Sequence, residues 1–165
     1  MKFICVKMVE ARPMKGEEFR ESYLGDMDDE FDEHDGYLID ENNGEKIYWE
    51  DKGVFDAMHL PVIESDGTTI SEAMVKDFMG NATGQKIDPK TTLVKAITKT
   101  GFVQHHVSSC VDPANYDHKL GTKIGSDKIR GDLWKCMGFV LQWAKYGLTG
   151  NQPKITIIPE DTEQE

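Results

Sequence analysis

Residues 92–109 read TLVKAITKTGFVQHHVSS. Side chains alternate in period two through Thr92–Thr98 and again through Phe102–Ser109, on either side of Gly101. Period two puts successive side chains on opposite faces of a strand, and a glycine between two such runs supplies the backbone freedom of a tight turn. The stretch predicts an antiparallel hairpin. Downstream the period changes. Ile129, Leu133, Cys136, Met137, Val140, Leu141 and Ala144 form one broad apolar stripe at helical spacing. A hairpin followed by a long amphipathic helix predicts an α+β fold, an antiparallel sheet with helices on one face.

The corner between them, Ser108–Gly125, is SSCVDPANYDHKLGTKIG. Asp112 followed by Pro113 is a helix start, with the carboxylate accepting free backbone N–H groups and proline at the first helical position. Tyr116 is placed to fold back onto the hairpin. The helical run is expected from about Asn115 to Tyr146, with a break or kink near residues 121–126, where Gly121 and Gly125 permit a change of direction or a close backbone approach. A nucleophilic Cys110 would need a neighbouring imidazole from His105, His106 or His118. Asp112 beside it opposes thiolate formation. His105 and His106 are adjacent on a strand and point to opposite faces, and Cys110 with His118 gives only two ligands, too few for zinc. A helix start is also an anion site, with Lys119, Lys123, Lys128 and Arg130 in reach. Asp112 and an anion would compete for the same donors.

Upstream, Ser71 reads as the N-cap of a helix Glu72–Met79 with Met74, Val75 and Phe78 facing inward. Residues 81–91, NATGQKIDPKT, read as a loop. Before them, residues 2–10 alternate as a strand that Pro13 ends, and Lys15–Leu24 reads as a short helix. GYLIDENNGEKIYW predicts a second hairpin, strand Tyr37–Asp40, turn Glu41–Gly44 and strand Lys46–Trp49. Asp51–His59 is a short helix with Val54, Phe55 and Met58 as its apolar stripe. The chain thus divides into an α+β unit at residues 1–62, a linker at 63–70, a second α+β unit at 71–148 and a polar tail at 149–165. Each unit is a hairpin or small sheet packed with helices on one face, and the second ends in a long helical run. Units of this size bury modest cores, which predicts that they pack together or that the chain oligomerises.

The charge narrows the function. There are 19 Lys+Arg and 30 Asp+Glu, a net charge of −11, and Asp26–Asp35 (DMDDEFDEHD) carries seven of the carboxylates. Such a chain repels nucleic acid backbones and anionic lipid, since phosphate binding depends on Lys and Arg releasing counterions. A small anion in a local basic pocket remains compatible, because salt screens distant charge over roughly 8 Å. The acidic run does not fit a calcium loop, lacking glycine at the sixth position from Asp26 or Asp28. No apolar run approaches the roughly 20 residues of a membrane span, and the N-terminus lacks a signal-peptide h-region. Three widely spaced cysteines fit reduced thiols. A cytoplasmic protein without nucleic acid or membrane partners is expected.

The second half resembles a group of small phage accessory proteins named after coliphage and Shigella-phage genes. The resemblance covers about residues 70–145. It rests on Gly101-Phe102, the run Ser108–Asp117 (Ser-x-Cys-Val-Asp-Pro-x-Asn-Tyr-Asp), Gly121, Ile124, Trp134 and Gly138-Phe139. Gly125 and Ser126 depart from it, since bulkier residues are usual there. In the first half, VEARPM and the stretch DEFDEHDGYLIDENNGEKIYWEDKGVFDAM resemble a short phage module. That module is similar, in its order of elements, to the Thoeris anti-defence sponges, which capture a cyclic ADP-ribose-type signal without cleaving it. The Arg-x-x-Trp step such sponges carry is missing here.

The resemblance implies a phage anti-defence protein of the infected host's cytoplasm that sequesters a small cyclic nucleotide or ADP-ribose-type ligand, as a homo-oligomer whose interfaces build the pocket. Tyr37, Tyr48 and Trp49 are the candidate aromatic platforms, because base stacking contributes about 1–3 kcal/mol. Arg12, Lys15 and Arg20 are the phosphate partners, with Asn115, Lys119 and Lys123 at the second helix. The alternative is an acidic inhibitor or mimic that binds a host protein by charge complementarity. No base, nucleophile and stabiliser stand at workable spacing, so no enzyme, cofactor or metal is expected.

Overall fold

The computed structural model describes residues 1–24, 33–41 and 44–148. Most of the acidic run, Asn42-Asn43 of the first turn and the tail from residue 149 lie outside the described residues. The architecture is α+β, built on two antiparallel three-stranded sheets.

The first sheet has the order β1 (Glu10–Lys15), β2 (Asp35–Glu41), β3 (Lys46–Asp51). The hairpin β2–β3 lies where the alternation puts it. The first strand does not. It starts at Glu10 and runs through Pro13 to Lys15, whereas residues 1–9 form no strand and leave Phe3 and Ile4 exposed. β1 is an edge strand, and proline is tolerated there because its missing N–H can face away from the ladder. The expected helix 15–24 is one α turn, α1 (Gly16–Phe19), continued by a π turn at Arg20–Leu24. α2 (Lys52–Met58) is capped by the Asp51 carboxylate, which accepts from Gly53 N at 2.8 Å. Of its expected stripe only Phe55 packs, stacked on Tyr37 with centroids 4.3 Å apart; Val54 and Met58 are exposed.

The second sheet has the order β4 (Ala82–Asp88), β5 (Thr91–Ile97), β6 (Val103–Ser109). β4 corrects the loop expected at 81–91. It is an edge strand whose core-facing positions are small, Ala82 and Gly84 opposite Ala96 and Val94, so it carries no apolar signal. α3 (Glu72–Met79) is capped by Ser71 Oγ, which accepts from Met74 N at 3.1 Å. α4 (His118–Tyr146) crosses all three strands and packs on α3. The core joins Met74, Val75 and Met79 of α3 to Val94 and Ala96 of β5 and Ile129, Leu133 and Met137 of α4. Ile63 and Ile70 pack against it from outside the sheet. Cys136 and Val140 of the expected stripe are exposed.

α4 is continuous through 121–126, against the expected break. Its buried residues are Gly121, Gly125, Ile129, Leu133 and Met137, one every fourth position. A Cβ at Gly121 would come 2.8 Å from Thr92 Oγ1, and one at Gly125 would come 2.4 Å from Val94 Cγ2. The two glycines therefore let the helix lie on β5. The corner also differs from expectation. Asp112 caps only a 3-10 turn, Pro113–Asn115, accepting from Ala114 N at 2.9 Å. The long helix starts later and is capped by Asp117, which accepts from Leu120 N at 3.0 Å. Tyr116 does fold back, its hydroxyl 2.9 Å from Thr92 Oγ1 on β5.

Candidate functional site

Where the first three turns of α4 lie along β4, a groove of about 430 Å³ opens, lined by Ala82, Gly84, His118, Lys119, Thr122, Lys123 and Ser126. Gly84 sets its depth, since a Cβ there would come 2.0 Å from Thr122 Oγ1. Thr122 Oγ1 donates to His118 O at 2.8 Å, which fixes its rotamer. One wall is braced by Tyr116, held between Thr92 and His118 Nδ1 at 3.1 Å, with Lys86 Nζ 4.3 Å from its ring centroid. The lining holds two ammonium groups, two hydroxyls and an imidazole, and no carboxylate. The ammonium groups and the Ser126 hydroxyl match the oxygens of a phosphate or carboxylate, whereas the Thr122 proton is already given to His118 O. At the helix start Asp117 already accepts from Leu120 N, and Asp112 accepts from Ala114 N of the preceding turn.

Lys119 and Lys123 thus converge on the groove, while Asn115 sits in the preceding 3-10 turn and does not line it. Thr122, Ser126, Ala82 and Gly84 were missed. The first two share the lysines' helix face, Thr122 and Lys123 standing three and four residues after Lys119 and Ser126 three after Lys123, a spacing signal available in the sequence; the others were hidden by the reading of β4 as a loop.

The candidates of the first sheet are divided between its faces. Arg12, Leu38 and Trp49 are in register and share one face, whereas Lys15 is level with Asp35 on the face of Tyr37 and Tyr48. The Trp49 indole lies over Gly36, where a Cβ would come 2.2 Å from Cζ2, and its Nε1 donates to Met14 O at 2.8 Å. Tyr37 is already stacked by Phe55, which is stacked in turn by His59 at 4.0 Å. Arg20 begins the π turn after α1. Tyr48 belongs to a polar cluster. Its hydroxyl donates to Glu41 Oε1 at 2.6 Å; Lys7 donates to the same oxygen, and Lys46 Nζ lies 3.4 Å from Oε2. The hydrogen bonds from Lys7 and Tyr48 hold the buried Glu41 carboxyl down at about 2, and burial with the bond to Glu41 pushes the Tyr48 phenol up to about 12.

Cys110 is tied into the corner. Its Sγ lies 3.1 Å from Asp112 O and 3.5 Å from Lys90 O, and its N–H donates to Lys90 O at 3.0 Å. His118 turns instead to Tyr116. His105 and His106 pair with Lys95 and Val94, on opposite faces of β6. Among the described residues no three His, Cys, Asp or Glu side chains are grouped to hold a metal ion. No helix among them is long and apolar enough to cross a membrane.

Residues 66–144 match the Phage protein (N4 Gp49/phage Sf6 gene 66) family. The match spans α3, the second sheet, the groove and nearly all of α4. No curated protein and no solved structure matches the chain.

Proposed function

We propose that this chain is a phage accessory protein that works by binding, and that it holds a small phosphate-bearing ligand of cyclic nucleotide or ADP-ribose type in the groove between α4 and β4 without cleaving it. One observation carries the reading: a chain of net charge −11 gathers Lys119 and Lys123, with the hydroxyl of Ser126, around a concavity whose lining holds no carboxylate. An anion placed there gains charge-assisted hydrogen bonds. The groove presents no activated nucleophile, so retention of the intact ligand is the simplest outcome of binding. The aromatic residues of the first sheet are engaged in its own packing, which supports reading the site at the second sheet.

The test is a thermal melt of the purified protein with cyclic dinucleotides, cyclic trinucleotides and cyclic ADP-ribose isomers. Each is followed by recovery of the compound from denatured protein. A ligand at a hundredfold its Kd should stabilise by about 2.7 kcal/mol, come back unchanged, and lose its effect in K119A/K123A. A chemically altered compound would make the protein an enzyme. A panel without any stabilising member would remove the reading for these ligands.

A further inference from the structure

α4 carries a second face, which no element among the described residues covers. Leu120, Ile124, Asp127, Gly131, Trp134, Gly138, Leu141 and Lys145 follow one another at alternating steps of four and three. That is the spacing of a coiled-coil seam. Leu120, Ile124 and Trp134 are exposed at 54%, 41% and 40%, and Leu141, at the border with the core-facing stripe, is half-buried. Among the described residues nothing requires Gly131 or Gly138. A Cβ at either meets nothing within 4 Å, yet glycine inside a helix costs about 1 kcal/mol against alanine. Gly121 and Gly125, by contrast, are required by β5.

The seam is complementary to itself in one arrangement. When two copies of α4 run antiparallel about a two-fold axis between residues 132 and 133, Trp134 falls on Gly131 of the second copy, and Ile124 falls on Leu141. Asp127, which Arg130 holds at 3.0 Å, faces Gly138, and Leu120 meets the stem of Lys145. Large residues meet small ones at the centre, and the same patch serves both copies, as an isologous interface demands. From Leu120 to Lys145 the helix rises about 38 Å. Seven turns of pairing approach the lower end of specific interfaces, about 600 Å² from each copy. We infer that the chain forms a homodimer through antiparallel pairing of α4, with Trp134 seated in the notch at Gly131 of the second copy.

Sedimentation equilibrium of the full chain should give a dimer. W134A and G131L should each weaken association at least about tenfold, as for a central anchor, with helical circular dichroism unchanged, since both positions are exposed. In a C5S/C136S background, which removes the exposed native thiols, I124C/L141C should form an intermolecular disulfide on oxidation, and I124C alone should not. A wild-type chain that stays monomeric at its highest soluble concentration would overturn the inference. So would a dimer that both W134A and G131L leave intact, or cross-linking by I124C alone.

Discussion

Glu41 shows how much one side chain can decide in a small sheet. It is buried, yet Lys7, Lys46 and Tyr48 all converge on its carboxylate. Its folded pKa of about 2 lies below the ordinary 4.5, so the stabilisation it gives is complete above pH 4.5 and is lost as the pH falls towards 2. Tyr48 works the other way. Raised from 10 to about 12, its neutral form contributes below pH 10 and is lost as the pH rises through 12. Glu41→Gln should therefore melt below the wild type at neutral pH, and the gap should close between pH 4.5 and about 2. A gap that does not change across that range would remove Glu41 from the account. None of this was legible in the sequence, where Glu41 reads as the first residue of a turn. The caps were partly legible. Ser71 was found because a helical period starts after it, and Asp112 because Pro113 follows. Asp117, which caps the long helix, has no such neighbour and was missed.

At the level of the element, α4 holds two kinds of glycine with opposite consequences. Gly125→Ala improves helix propensity but drives a Cβ into Val94. The overpacking should cost a net 1–3 kcal/mol or so in urea unfolding. Gly131→Ala meets open space and should stabilise the dilute monomer by about 0.5–1 kcal/mol. Equal effects at the two positions would contradict the packing described. The same contrast explains why a break was expected at 121–126. Helix propensity is a property of the residue, while the need for glycine comes from Val94 on a strand far back in the chain. The hairpin β5–β6 was legible because its alternation is local. β4 was not, because its core-facing residues are too small to register as apolar. β1 was displaced because Pro13 reads as a stop when the strand's place at the sheet edge is unknown.

For the molecule as a whole, the two sheets are unequally supported. Among the described residues the first buries only Met14, Leu38 and Ile39 of its apolar side chains, whereas the second shares an eight-residue core with α3 and α4. β2 and β5 are both central strands paired on both sides, and the one irregularity in β5's ladders, between Lys86 and Asp88 of β4, lies opposite Thr91–Thr92 and away from Val94 and Ala96. A difference in opening at these positions therefore reflects packing rather than hydrogen bonding. Hydrogen exchange at Tyr37 and Ile39 should outpace that at Val94 and Ala96; equal protection would mean that the first sheet is braced by more than its own core. The overall plan of two α+β units was readable from hydrophobic period, and the second half's similarity to a phage family from its motifs. The groove was readable only through its lysines, since its other wall is β4. The regular step of four along α4 has an evolutionary corollary. Inserting one residue after Gly125 would swing Ile129, Leu133 and Met137 by about 100°, off the sheet and into water. Inserting four would turn them by only about 40°, the rotation the buried row already makes from one contact to the next. Length changes in this helix should therefore survive selection in fours and be purged in ones and twos.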